Sequence, residues 1–263
     1  MSARVRELEG WFREAESVLV AFSGGTDSAL LARVAHDVLG ERAAAVTGVS
    51  HSRSAADREW AEKVAREIGI RHRFVETGEW EDPRFLANDG ERCYLCKREL
   101  FRLCAEKARE GGFRLVAEGS QVGDRDDHRP GFRAAVEAGV RSPFLEIGMD
   151  KREIRSLSRE LGLPTWNRPT GACLATRIPP GTAITGERIA RAEKAEAFLR
   201  GEGFGTVRVR LDGPNARIET GAVEIDRFAD ADLRLRIAAR FREIGFERTS
   251  LDIEGYREKD GGV

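Results

Sequence analysis

The chain has 263 residues, of which 41% are hydrophobic and 34% charged; it carries four cysteines and a net charge of −1. That length allows one large domain or two modest ones, with enough apolar residues for a real core. The balanced charge leaves no basic footprint, which argues against a nucleic-acid partner, and no apolar run approaches membrane-spanning length.

Met1 to Glu7 is polar and carries no signal peptide, so a cytoplasmic location is expected. In that compartment cysteines serve as ligands, catalysts or core residues rather than as structural disulfides. An amphipathic helix over 4–16 leads to an apolar strand, Val18 to Phe22. The strand runs into Ser23-Gly24-Gly25-Thr26-Asp27-Ser28, and Ala29 to Ala35 continues with helical periodicity. Two adjacent glycines permit a sharp turn and clear room for a ligand. The first N–H groups of the helix lack intrahelical partners and sit at the positive end of its dipole, so a phosphate is the expected guest. Ser23, Thr26 and Ser28 add hydroxyl donors. Asp27 would repel a phosphate unless Mg²⁺ lay between them. A plain glycine turn with a helix cap is the competing reading. Neither G-x-x-x-x-G-K-[ST] nor G-x-G-x-x-G occurs.

A second strand is expected over Ala43 to Val49, a helix over Ser54 to Ile68 with Ser54 as its N-cap, and a third strand over His72 to Glu76. Strand–helix alternation predicts a parallel α/β sheet, whose ligands bind beyond the C-terminal strand ends. Next comes Cys93-Tyr94-Leu95-Cys96, just before a predicted helix over Lys97 to Glu110. Two thiols at this spacing can hold part of a metal centre, and a helix N-terminus favours thiolates. Cys104, two turns on, reads as a buried core residue. Phe113 to Glu118 is a fourth strand. The following loop, with Gly119, Gln121, Asp124 and Arg129-Pro130-Gly131, is either solvated or a second lip of the nucleotide site. Ser142-Pro143-Phe144 reads as a short edge. Asp150 and Glu153 form a capping box for a helix to Leu161, which Gly162 and Pro164 stop.

Residues 166–181 are rich in Pro and Gly and not periodic, as functional loops of this length often are. They contain Cys173, whose thiolate nearby cations such as Arg177 could favour. Beyond them a helix over Gly186 to Arg200, strands over Thr206 to Leu211 and Ala216 to Glu219, a helix over Leu233 to Ile244 and a strand over Ser250 to Glu254 predict a small αββαβ unit. Alternation puts Arg208 and Arg210 on one face, either solvated or holding a phosphate or carboxylate. The expected domains are 1–165 and 166–263, and the fold class is α/β followed by a small α+β unit.

S-G-G-x-D-S after an apolar strand resembles the loop of the N-type ATP pyrophosphatases, which cleave ATP to AMP and pyrophosphate. Together with Glu118-Gly119-Ser120-Gln121, Asp124, Arg129-Pro130-Gly131, Ala172-Cys173-Leu174-Ala175-Thr176-Arg177, Val207-Arg208-Val209-Arg210 and Arg217-Ile218-Glu219, it makes nearly the whole chain similar to the LarE family. These are ATP-dependent sulfur transferases of nickel-pincer cofactor synthesis. The resemblance implies a pyridinium dicarboxylate mononucleotide as substrate and ATP with Mg²⁺ at Ser23, Gly24, Gly25, Asp27, Ser28, Gly119, Gln121 and Asp124. It implies Cys173, Asp27 and Arg177 in catalysis, and Arg208 and Arg210 on the substrate phosphate. Some members of the family give up the sulfur of the cysteine at Cys173; others hold a [4Fe-4S] cluster through three cysteines. Cys93, Cys96 and Cys173 resemble the cluster type. Gln121 and Thr176 stand where the family usually has Asn and Ser. A homo-oligomer, with a hexamer as one form, is the expected assembly. A tRNA-thiolating enzyme of the same loop class is the nearest rival, and it should carry a basic surface.

Overall fold

The computed structural model describes residues 3–124, 130–169, 171 and 173–257. The chain forms two compact units, Met1–Phe85 with Gly90–Thr170, and Leu86–Asp89 with Gly171–Val263.

In the first unit α1 (Ala3–Ala15) leads to β1 (Val18–Ala21), α2 (Thr26–Leu39), β2 (Ala43–Val49), α3 (Ala55–Ile68) and β3 (Arg71–Glu76). The short helix α4 (Pro83–Leu86), the long helix α5 (Arg92–Glu110), β4 (Leu115–Ala117), α6 (Pro130–Glu137), α7 (Pro143–Glu146) and α8 (Lys151–Glu160) complete it. The four strands are parallel in the order β3-β2-β1-β4. Both faces of the sheet are covered, which is why its inner strands read as unbroken apolar runs. Val18, Val20, Ala43 and Ala45 pack with α1, α2, α3 and α8 on one face. Leu19, Ala21, Ala44 and Val46, the alternate positions, pack with Phe101, Cys104 and Ala108 of α5 and Ala134 and Ala135 of α6 on the other. Phe12, Phe101 and Phe144 are wholly buried, each stabilising the unit by about 1.5–3 kcal/mol on area grounds.

Local signals hold at most boundaries. Ser54 caps α3, accepting from the Asp57 N–H at 3.1 Å. Asp150 and Glu153 form both halves of the capping box of α8, at 2.9 and 3.0 Å. Two expectations are corrected. The helix with the C-x-x-C begins at Arg92, not Lys97, so both cysteines lie inside its first turns. Ser142-Pro143-Phe144 is not a strand edge: Pro143 opens the helical turn α7. Proline cannot donate to a ladder and is preset for the first helical position. Arg141, just before it, bridges to Ala117 of β4.

In the second unit α9 (Gly186–Gly201), β5 (Val207–Asp212), β6 (Asn215–Thr220), α10 (Ala231–Ile244) and β7 (Thr249–Leu251) follow the predicted αββαβ order. β5 and β6 are antiparallel, turning at Gly213 with φ +58°, and β7 adds parallel to β6. Ile189, Ala192, Ala195 and Leu199 of α9 are buried, as are Val207, Val209 and Leu211 of β5. Asn88, at φ +58°, ties the short segment before α5 into this unit. Its amide donates to the carbonyls of Ile178, Pro179 and Thr182 at 3.3, 2.9 and 2.9 Å. Among the described residues no helix is long and apolar enough to cross a membrane.

Candidate active site

The strand order reverses between β1 and β4, and in open α/β sheets ligands bind at such a point, beyond the C-terminal strand ends. There lies a cleft of about 200 Å³ lined by Ser23, Asp27, Ser28, Arg53, Lys97, Gly119 and Asp124 among others. Gly24 turns the chain at φ +76°. A Cβ there would meet the Ala61 backbone of α3 at 2.8 Å, so both the turn and the close helix require glycine. Gly119 is similarly close: its Cβ would come within 3.1 Å of Asp27 Cβ. Gly25 is the N-cap of α2 and supplies no side-chain cap, which leaves the opening N–H groups directed to the cleft end of the helix.

The loop hydroxyls hold the loop itself. Ser28 Oγ accepts from the Ser23 N–H at 3.1 Å and lies 3.0 Å from Ser23 Oγ. Thr26, expected as a ligand donor, is buried and donates to the Thr165 carbonyl at 2.7 Å. The Trp60 indole donates to the Gly24 carbonyl at 2.9 Å, and Arg53 Nη2 donates to the Ser23 carbonyl at 2.8 Å.

Asp27 is held by Lys151, whose Nζ donates to both carboxylate oxygens at 2.7 and 2.6 Å. Burial pushes the Asp27 carboxyl above its ordinary pKa; Lys151 opposes that shift and the charge of Asp124 adds to it. Asp124 Oδ2 accepts from the Gln121 N–H at 2.9 Å. The Gln121 side chain turns back on its own loop, accepting from the Gly123 N–H at 2.9 Å. Arg53, Lys97 and Lys151 were not singled out from sequence. Lys151 carried one usable signal, since a lysine in the first turn of a helix runs against the dipole.

Cys93 is exposed and Cys96 half-buried, one turn apart on α5 in the first unit, and Arg92 Nη2 lies 3.7 Å from Cys93 Sγ. Cys173, exposed, belongs to the second unit. Among the described residues no group of three or more His, Cys, Asp or Glu side chains has metal-holding geometry. Arg129 and Thr170 lie outside the described residues. Cys104 is wholly buried in the sheet-to-α5 core, and burial pushes its thiol up to about 12. Alkylation of the metal-free native chain is therefore expected to label Cys93, Cys96 and Cys173 and to spare Cys104 until unfolding, as read by mass spectrometry. Labelling of Cys104 as fast as Cys93 would contradict its placement.

In the second unit a turn of 3₁₀ helix, Leu174–Arg177, follows Cys173. Arg177 is 3% exposed and forks onto Glu196 of α9, with Nε at 2.6 Å and Nη2 at 3.3 Å. Its Nη1 donates to the Cys173 carbonyl at 3.2 Å and to Thr176 Oγ1 at 2.7 Å. Arg210 donates to the Thr176 carbonyl at 2.8 Å and pairs with Glu219 at 2.9 Å. Pairing register puts Arg208 opposite Glu219 and Arg210 opposite Arg217, so three arginines and one glutamate share a sheet face. Arg208 stacks its guanidinium 5.0 Å from the Tyr256 ring centroid.

The asparagine synthase family matches residues 12–84, which include the Ser23–Ser28 loop. An uncharacterized protein of Synechocystis sp. is 40% identical over 98% of this chain and 96% of its own length. The pyridinium-3,5-bisthiocarboxylic acid mononucleotide synthase of Lactiplantibacillus plantarum is 34% identical over 93% of this chain and 88% of its own. A probable tRNA sulfurtransferase of Methanothermobacter thermautotrophicus is 32% identical, over 41% of this chain and 31% of its own.

Proposed function

The chain belongs to the LarE family of ATP-dependent sulfurtransferases built on a PP-loop, and we propose that it adenylates a carboxylate of pyridinium-3,5-dicarboxylate mononucleotide and converts it to a thiocarboxylate. The observation that carries this reading is the cleft at the β1–β4 switch. There the uncapped start of α2 meets the cations Arg53 and Lys97 and the carboxylates Asp27, Glu118 and Asp124, with Lys151 paired to Asp27.

A carboxylate is a poor electrophile because its charge is delocalised and its leaving group is oxide. Attack of its oxygen on the α-phosphorus of ATP breaks the bond to pyrophosphate and leaves an acyl-adenylate. A sulfur nucleophile then adds to that carbonyl and AMP departs with the bonding pair. The opening N–H groups of α2 bind the phosphates, and Lys97 and Arg53 offset their charge. Asp27, with Asp124 beside it, has the oxygen donors that suit Mg²⁺, which would neutralise the departing pyrophosphate. Gly119 keeps the second lip open to the nucleotide. Arg208 and Arg210 take the phosphate of the mononucleotide, with Glu219 orienting Arg210. Arg177 fixes the loop from which Cys173 projects.

The thiols of Cys93 and Cys96 fit two ligands of an iron–sulfur centre in softness, spacing and accessibility. With Cys173 as the third they would hold a [4Fe-4S] cluster, which supplies an iron for exchangeable sulfide. The same reading takes the chain as one subunit of a cytoplasmic homo-oligomer.

The test is anaerobic incubation of reconstituted protein with ATP, Mg²⁺, sulfide and the pyridinium mononucleotide. AMP, pyrophosphate and a product with sulfur in place of oxygen are expected, over repeated turnovers. Cys93→Ala should lose iron and turnover together. One product per chain from Cys93→Ala, with Cys173 lighter by H₂S, would replace the cluster by sacrifice of Cys173. Pyrophosphate release with tRNA but not with the mononucleotide would overturn the substrate.

A further inference from the structure

Of the two arginines on β5, Arg210 pairs with a carboxylate: its Nη2 lies 2.9 Å from Glu219 Oε2, and Arg217 stands 3.7 Å from the other oxygen of that group. Arg208 carries an aromatic ring. Its Nη1 donates to the Val207 carbonyl at 2.9 Å, and the centroid of Tyr256 lies 5.0 Å from its Cζ, within cation–π range.

Tyr256 lies beyond the end of β7, in a stretch that is neither strand nor helix. Backbone bonds nevertheless fix that stretch against β6. The Asp252 N–H donates to the Ile218 carbonyl at 2.8 Å, and the Tyr256 N–H to the Thr220 carbonyl at 2.7 Å. Between them the Gly255 N–H closes a turn on the Asp252 carbonyl at 3.1 Å. Gly255 is buried at φ +72°, and a Cβ there would stand 2.7 Å from the Thr220 carbonyl oxygen. Turn and packing both require glycine at that point. The segment is built to a fixed position, and it delivers the Tyr256 ring to Arg208.

We infer that Tyr256 is a positioning residue for the phosphate of the mononucleotide: its ring holds the Arg208 guanidinium by the flat face, so that the N–H edge is directed at that phosphate. The inference rests on the proposed role of Arg208. A carboxylate partner takes guanidinium N–H groups and offsets the charge, and the phosphate needs both. A ring grips the π face, takes none of the N–H groups and leaves the charge whole. An arginine side chain held in this way before the substrate arrives has less freedom to lose on binding.

Calorimetric titration of the reconstituted full chain with the pyridinium mononucleotide, without ATP so that nothing turns over, tests it. Tyr256→Leu is expected to weaken binding about three- to tenfold, as for a partly desolvated cation–π contact. Tyr256→Phe should bind as the parent does, because the ring and not the hydroxyl does the holding. ATP affinity should stay unchanged in both, which separates positioning from a general loosening of the fold. In an Arg208→Ala background, Tyr256→Leu should weaken binding no further. Parent-like binding by Arg208→Ala would remove the role of Arg208 itself. Weak binding by Arg208→Ala with parent-like binding by Tyr256→Leu would overturn this inference alone. Equal weakening by Tyr256→Phe, a matching loss of ATP affinity, or an added loss in the Arg208→Ala background would overturn it too. If Tyr256→Leu does not fold, the Arg208 Nε–H resonance of the parent decides. Ring current should shift it upfield and the mononucleotide should move it; a resonance at the position of an exposed arginine, indifferent to the mononucleotide, would sink the proposal.

Discussion

Asp27→Ala is expected to cut ATP-dependent pyrophosphate release by on the order of a hundred- to a thousand-fold, as for other preorganised electrostatic groups at a reacting phosphate. Asp27 is the only carboxylate within the Ser23–Ser28 loop. It stands at the start of α2, where its negative charge would otherwise compete with the phosphates for the same N–H groups. In the ligand-free chain Lys151 balances it. That pair is about one-third exposed on each side, so its loss should change stability by no more than about 1 kcal/mol. Folding, followed by circular dichroism, should therefore be retained while pyrophosphate release is lost. The pH dependence has a definite sign. Burial raises the folded-state pKa of Asp27, so in the window between its unfolded and folded values the native chain binds the extra proton. This group's contribution to stability consequently declines as pH rises through that window. In the ligand-free chain its carboxylate form disappears on acidification earlier than an ordinary aspartate would allow. Full activity in Asp27→Ala would remove the loop from the mechanism.

Glu196→Ala should destabilise the second unit by about 3–5 kcal/mol, the cost of stranding a buried charge. Glu196 and Arg177 are 2% and 3% exposed. The carboxylate also accepts from the Val209 N–H at 3.1 Å and lies 3.4 Å from Arg200 Nη1, so one side chain joins α9, β5 and the Cys173 turn. Against a typical total stability of roughly 5–15 kcal/mol that is a large share. Urea unfolding of Glu196→Ala should show a much lower midpoint. Replacing both partners with Met should recover most of the loss, because no charge is then left buried. In that double variant the Cys173 carbonyl loses its guanidinium donor, so the alkylation rate of Cys173 should change although stability returns. Equal midpoints for Glu196→Ala and the parent would mean that the pair does not anchor the turn.

The residues between Val18 and Ser28 show what the sequence determined unaided. A buried strand needs an apolar run, a tight turn needs glycine and a helix shows its period. All three are local, and the structure has β1, the Gly24 turn and α2 where they predict them. The caps Ser54 and Asp150 were legible for the same reason, since each bonds within three residues. The αββαβ order of the second unit followed from alternation alone. The start of α5 did not: the pattern predicts the helix from Lys97, yet it begins at Arg92. There Tyr94 meets Arg133 and Glu137 of α6, a contact more than thirty-five residues away in sequence. Arg53, Lys97 and Lys151 escaped notice because each is an ordinary charged residue on its own element, and only the sheet brings the three elements to one set of strand ends. The role of Arg177 was equally hidden. A guanidinium beside a cysteine reads as chemistry, but its fork is spent on Glu196, nineteen residues on and one helix away. Pairings of that kind are set by packing distance rather than by spacing along the chain, and so only the tertiary structure could decide them.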